Sequence, residues 1–301
     1  MRADIFKRSW ILYAGLVLLF FISPNRIMFV ANMQAETLSR LSPDMDYFQE
    51  FVAKDGNYDR KKLDDCVIYY RKVAEFVYEY RADAYAMMGY CLELGGESAQ
   101  AMAAYKKSLK LNPVYFWNSY NLGALYFNQK KYDQARKYFQ DATSQDPLPS
   151  QVIPLYSKLY RGILARRIAA EDYDVIGNLK EGERLAMVYI ALCSWKMEDY
   201  RLMLSTSLEG VSRNYKHPEV FYFYAGIAAY HLGLTDRAVQ LAQKTLEIAP
   251  NSWEAAQLMA MSLGAFGQPQ LAQEFLNKTV MLKSKYGNVI PEVSHVKVRF
   301  F

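Results

Sequence analysis

The residues that could carry acid–base or metal chemistry are few and lie far apart. The three histidines, His217, His231 and His295, are scattered, and none is paired at helical spacing with an acid or a cysteine. Segment 55–59 resembles the start of a calcium loop, but it lacks the glycine at the sixth place and the acid at the twelfth. The sequence therefore predicts no catalytic residue, no metal site and no cofactor.

Nucleotide and nucleic-acid binding are not indicated either. No glycine-rich phosphate loop is present, and Gly95 with Gly96 is placed as a turn between two helices. The net charge of +5 is mild, and both signs are mixed along the chain. A nucleic-acid footprint needs a concentrated basic patch, so we expect neither nucleic acid nor a small-molecule substrate as a partner.

Three cysteines give no zinc spacing and no disulfide framework. Cys66, Cys91 and Cys193 are expected as buried free thiols. A Cys66–Cys91 bridge is the alternative, because both residues fall on neighbouring predicted helices. Such a bridge requires an oxidising compartment.

The amino terminus combines a basic start at 1–8 with an uncharged apolar run at 10–22. This pattern is typical of a secretory signal. Cleavage after Ala31 would place Phe29 where a small residue is needed, so we expect an uncleaved signal anchor with a transmembrane helix within 9–31. Removal of the segment and a buried amino-terminal helix remain as alternatives.

Orientation follows from the basic residues. Arg2, Lys7 and Arg8 favour a cytoplasmic amino terminus. We therefore expect a single-pass protein of the inner (cytoplasmic) membrane. Residues 32–301 would then lie on the periplasmic side.

Two consecutive blocks of the sequence align without a gap. In the first, Gly89 is followed by Ala101, Tyr105 and Pro113; in the second, Gly123 is followed by Ala135, Phe139 and Pro147. Each residue lies 34 positions after its counterpart. A fixed period of this length, with small and aromatic residues at matching places, indicates a helical repeat array.

These blocks resemble the tetratricopeptide repeat, a helix–turn–helix unit. The resemblance implies an all-α fold: a right-handed superhelix of helix pairs, here preceded by one amino-terminal transmembrane helix. The glycines and alanines would lie where two helices cross closely, and the prolines would end the second helix. The blocks beginning at Glu219 and Trp253 follow the same pattern, the second more weakly.

Spacing between the blocks predicts two drifted repeats in the middle of the chain; a non-repeat helical insert is the alternative. We expect a helix at 151–169, a short helix ending by Gly182, and a pair at 184–197 and 199–212. The whole chain then divides as follows: a cytoplasmic basic segment at 1–8, a signal anchor at 9–31, a linker and degenerate first pair at 32–81, two well-formed repeats at 82–149, two degenerate pairs at 150–218, two further repeats at 219–286, and a tail at 287–301.

The first helix of each pair lines the concave face in this family. Carried over position by position, the resemblance implies a groove rich in aromatic side chains that binds a peptide or helix of a partner protein. The alternative is that the array coils tightly and these rings pack on each other. The groove residues are Tyr90, Trp117, Tyr120, Phe127, Phe223 and Tyr230.

One known groove chemistry is tested by the residues present. Family members that bind chaperone tails use a lysine and an asparagine in one repeat and an asparagine in the next. Asn121 matches the second repeat, but Ala86 and Tyr90 occupy the first places. A chaperone-tail clamp is therefore not expected.

The carboxy terminus has a different pattern. Apolar residues alternate with polar ones, which predicts a strand able to add to a partner sheet; a loosely docked terminus is the alternative. The apolar members are Val296, Val298 and Phe300, and the polar members are His295, Lys297 and Arg299.

The expected function is a membrane-anchored, non-enzymatic scaffold that recruits a protein partner for assembly of an envelope complex. The alternative is an accessory subunit of an envelope biosynthetic enzyme or maturation complex. Both rest on the resemblance, because the sequence itself names no partner.

Overall fold

A computed structural model describes residues 60–76, 81–113, 116–144, 175–290 and 293–299. Within these ranges no helix combines the length and hydrophobicity that crossing a bilayer requires. The anchor predicted at 9–31 and the helix predicted at 151–169 lie outside them.

The described residues form eleven α-helices. In chain order they are α1 (Arg60–Phe76), α2 (Arg81–Leu94), α3 (Ser98–Leu111), α4 (Phe116–Asn128), α5 (Tyr132–Ser144), α6 (Val175–Lys196), α7 (Tyr200–Ser212), α8 (Glu219–His231), α9 (Thr235–Ile248), α10 (Trp253–Ala265) and α11 (Pro269–Lys285).

The chain divides into two compact units. Helices α1 to α3 belong to one unit, and α4 to α11 with residues 293–299 belong to the other. In the larger unit each helix packs against the next, and α4, α6, α8 and α10 also contact one another in order. This arrangement is that of stacked helix pairs, in which the first helices share one face.

The same turn joins the helices of five pairs. Each turn has one residue with positive φ, followed by an amide that donates to the carbonyl five residues earlier, as Lys131 N–H does to Tyr126 and Asp199 N–H to Ser194. This hydrogen bond closes the end of the first helix. The positive-φ residues are Gly96, Lys130, Glu198, Gly233 and Gly267.

The α6–α7 pair carries this turn at Glu198 and packs between α5 and α8. It is therefore joined and packed as the other helix pairs are. One part of the prediction was wrong: Gly182 does not end a helix. It lies buried inside α6, where an added Cβ would be 2.7 Å from the Trp117 ring. The division of 150–218 into two degenerate repeats stays a prediction, because residues 145–174 are outside the described ranges.

Glycines allow the two helices of a pair to cross closely, as predicted. A Cβ at Gly89 would lie 2.9 Å from the Tyr105 ring, and one at Gly123 would lie 2.8 Å from the Phe139 ring. Ala101 and Ala135, on the second helices, are completely buried. The repeat pattern thus encodes the distance between helices.

In the smaller unit a disulfide joins Cys66 of α1 to Cys91 of α2, across 25 residues. The bridge realises the alternative left open by the sequence. Closing a loop of this length stabilises a fold by about 3 kcal/mol in the chain-entropy model. Cys193 is a buried free thiol, and burial raises its pKa to about 12.

We predict that Gly123→Ala lowers the free energy of unfolding by about 1–3 kcal/mol, because the new methyl overlaps a buried ring. Urea unfolding followed by circular dichroism measures this. The matched control is Gly264→Ala, whose Cβ would meet only Ala272 at 3.9 Å. Because alanine is the better helix former, the control should be neutral or slightly stabilising. Equal losses in both variants would contradict this role for Gly123.

Candidate peptide-binding face

Most of the aromatic residues predicted to line an open groove are buried. Trp117, Tyr120 and Phe127 expose 2%, 0% and 3% of their surfaces, and Tyr90 and Phe223 expose 7% each. Only Tyr230 is partly exposed. The prediction of an open aromatic groove over α4 is therefore wrong.

Ring packing explains the burial on α4. The Tyr120 ring lies 5.4 Å from Trp117, 5.6 Å from Phe139 of α5 and 6.1 Å from Tyr189 of α6, centroid to centroid. Phe127 lies 6.2 Å from Tyr189. Edge and tilted contacts of this kind stabilise the fold beyond the area they bury. The packing alternative left open by the sequence is the one the structure adopts here.

The carboxy-terminal residues 293–299, called the tail below, lie against the same helix. Two asparagines of α4 each bind one residue of the tail, through hydrogen bonds to both its main-chain N–H and its C=O. The Asn121 side chain donates to the Arg299 carbonyl at 2.7 Å and accepts from the Arg299 amide at 2.8 Å. The Asn128 side chain donates to the Val296 carbonyl at 2.9 Å and accepts from the Val296 amide at 2.8 Å.

An asparagine suits this task because its amide offers a donor and an acceptor side by side. It can therefore pair with a residue's N–H and C=O as a neighbouring strand would. Asn121 is 1% exposed and Val296 is fully buried, while Asn128 is partly exposed, so these bonds are partly shielded from water. Buried polar groups need such partners, which makes the contact selective for an extended main chain.

A third contact holds the segment before the tail. Glu254, at the start of α10, accepts the Val289 amide at 2.9 Å and the Ile290 amide at 3.3 Å on the same carboxylate oxygen. Its other oxygen accepts the Ser252 hydroxyl at 2.8 Å. Asn121, Asn128 and Glu254 together define what we call the main-chain face.

Charge adds to these contacts at the carboxy-terminal end. The Glu181 carboxylate of α6 has a lowered pKa, chiefly through its hydrogen bond from Arg184, and the charge of Arg299 lowers it further. Burial raises the pKa of the Tyr120 phenol well above its usual range, and Arg299 opposes that rise.

The tail is not a strand, contrary to the alternation seen in the sequence. Residues 293–299 form no ladder with another strand in the described ranges. Val296 is buried while Val298 is only partly covered. Pairing with side chains, rather than with another strand, selects which residues turn inward.

The sequence pointed to Asn121 but not to Asn128. Asn121 drew attention only through the chaperone clamp, which the sequence lacks. The available signal was the presence of three asparagines, Asn118, Asn121 and Asn128, on a helix of mostly apolar residues. Amides in such surroundings need partners, which predicts a polar ligand on that helix.

Models of the tetratricopeptide repeat match residues 82–115, 119–147 and 221–252. This chain carries tetratricopeptide repeats. The matched segments coincide with α2–α3, α4–α5 and α8–α9. No curated protein sequence matches the chain significantly, and the comparisons identify no catalytic domain.

Solved tetratricopeptide repeat structures share the fold. A MamA crystal structure has a TM-score of 0.52 at 16% identity, covering 71% of this chain and 99% of MamA. YrrB, described as a protein of this kind with an unusual peptide-binding site, has a TM-score of 0.52 at 19% identity, covering 72% and 93%. MamA from Desulfovibrio magneticus RS-1 has a TM-score of 0.51 at 14% identity, covering 69% and 98%. At this identity the likeness concerns the fold alone.

We predict that Asn121→Ala with Asn128→Ala speeds tryptic cleavage after Lys297 by at least an order of magnitude. The double variant loses four hydrogen bonds, each worth about 1 kcal/mol, so the tail is released more often. Mass spectrometry of the released 298–301 fragment gives the rate.

The control is Asn277→Ala, an exposed asparagine of α11 whose side chain pairs only with Gln273 in the described part of the chain. It should cleave at the wild-type rate. Cleavage that is equally fast in the wild type and the double variant would rule out the asparagine contacts.

Proposed function

We propose that the chain is a membrane-anchored scaffold without catalytic activity, which recruits a partner protein by an extended segment of that partner and so helps to assemble an envelope complex. The observation that carries the proposal is the main-chain face. Side chains of two first helices, α4 and α10, bind extended backbone there rather than packing on a further helix.

Repeat proteins of this kind bind protein or peptide partners, and the fold similarity to YrrB agrees with that role. Main-chain recognition gives affinity for an extended segment, while pockets for its side chains give specificity. Anchoring the array at a membrane would confine the partner to that surface and raise its effective concentration.

The first-helix face offers accessible positions beyond the tail. Gln257 lies one turn after Glu254 on α10, and Met261 lies one turn further; both are exposed. Residues three or four apart share a helix face, so these two continue the main-chain face. Tyr230 of α8 is the aromatic residue predicted from the sequence that is still partly open.

We further propose that the helical array lies on the periplasmic side of the inner membrane. The basic and apolar pattern of residues 1–31 supports this, as does the Cys66–Cys91 bridge. Disulfides persist in the periplasm and are rare in the cytoplasm.

A photo-reactive side chain placed at Gln257 or Tyr230 of the full chain, in intact cells, should form a covalent adduct with one and the same protein. A control at Gln243, exposed on the second helix α9, should not form this adduct. Absence of an adduct from both first-helix positions, or equal yield from Gln243, would contradict recruitment at this face.

The proposed location is tested by the thiols of the chain in acid-quenched cells. Alkylation after unfolding without reductant should modify Cys193 alone, and all three cysteines should react after reduction. Modification of Cys66 and Cys91 without reductant would place the array in a reducing compartment and contradict the proposal.

A further inference from the structure

The spacing of the two asparagines matches the spacing of the tail residues they hold. Asn121 and Asn128 are seven residues apart, which is about 10.5 Å along a helix at about 1.5 Å per residue. Val296 and Arg299 are three residues apart, which an extended chain spans with about 10 Å at about 3.3 Å per residue. The tail runs antiparallel to α4, because the earlier asparagine holds the later residue.

Burial along the tail agrees with the two asparagine contacts. Val296 is buried, Val293, Val298 and Arg299 are partly covered, and Ser294, His295 and Lys297 face solvent. Val296 and Arg299, three residues apart, are the two tail residues whose main chain bonds to α4.

Recognition of the tail depends little on its own sequence. The four hydrogen bonds from the two asparagines reach main-chain atoms of Val296 and Arg299, which every residue except proline presents. The Asn128 amide also lies 3.5 Å from a ring nitrogen of His295. The side-chain demand that burial shows is a small apolar group at the fully buried Val296. Another segment with this feature would satisfy the same contacts.

We propose that the tail is an intramolecular ligand that occupies the partner's binding site on α4, and that the partner displaces it with an extended segment of the same chemistry. That segment would carry a β-branched residue in the place of Val296 and, three residues later, a residue other than proline. The inference rests on the proposed function and names the partner's chemical class.

Covalent linkage gives the tail an advantage over a free segment. A short connection makes the effective concentration of a tethered ligand on the order of millimolar. A partner must therefore bind more tightly, or be presented at high local concentration, before it replaces the tail. The tail therefore excludes weakly binding extended peptides from the site, whereas a partner of higher affinity displaces it.

The test uses a fluorescent synthetic peptide of residues 288–301 and the full chain in detergent. Val296→Asp should release the tail, because a carboxylate cannot be buried unpaired at that position. We expect the peptide to bind the Val296→Asp chain at least about tenfold more tightly than the wild type, since apparent affinity scales with the fraction of open sites. Equal binding to both chains would overturn the proposal.

Two further variants establish where the peptide binds. Adding Asn121→Ala and Asn128→Ala to Val296→Asp should abolish binding, while adding Asn277→Ala should leave it unchanged. A peptide with Val296 and Lys297 exchanged should lose binding, because its β-branched residue is out of register. Binding that survives the double asparagine change, or the exchange, would contradict the three-residue register on α4.

A second release variant guards against misfolding. Replacing residues 293–299 by a glycine–serine sequence of equal length removes the tail contacts without adding a buried charge, and should give the same tighter binding of the peptide. Failure of this variant to bind, with its helical content intact, would overturn the inference.

Failure of the inference and failure of the proposed function are distinguishable. An adduct at Gln257 whose yield is equal in the wild type and in Val296→Asp would contradict the tail's role alone. Tighter peptide binding by Val296→Asp without any cellular adduct would contradict the proposed function alone.

Discussion

The close crossing of paired helices, with a glycine against an aromatic ring, is the constraint on which the structure depends. Gly123 admits the Phe139 ring, and Phe139 in turn lies 5.6 Å from Tyr120 and 5.3 Å from Tyr189. These contacts fix α4 against α5 and α6 at once. Any side chain at the glycine would push the ring out of a filled core, because protein interiors have few voids to absorb it.

A rigid α4 is what makes the asparagine pair selective. Asn121 and Asn128 hold their spacing because the helix between them is packed on both its neighbours. Their amides then match the main chain of two residues that are three apart. A flexible helix would accept many registers, whereas a fixed one favours a single extended register.

The repeat pattern predicted the pairing of helices but not their partners across the array. Gly89 and Gly123 were recognisable because their spacing and their aromatic counterparts recur. The position of Gly182 was predicted wrongly, because outside a recognised repeat the sequence does not distinguish a glycine inside a helix from one that ends it. The glycine is needed there because the Phe116 and Trp117 rings, distant in sequence, pack against it.

The aromatic residues of α4 show the same difficulty. Their helical positions were inferred correctly, yet a first helix buried on every side cannot be told from one that lines an open groove by spacing alone. What covers α4 is α6, together with a tail more than 160 residues away in sequence. In the tail, alternation of Val296, Lys297 and Val298 indicated a strand, but its two asparagine partners bind residues that are three apart.

Amide hydrogen exchange across residues 293–299 of the intact wild-type chain is the most direct measurement of the main-chain contacts. The amides of Val296 and Arg299 should exchange slowly, since each donates to an asparagine, while those of Ser294, His295 and Lys297 should exchange fast. Uniformly fast exchange along the segment would contradict the claim that α4 holds an extended ligand by its main chain.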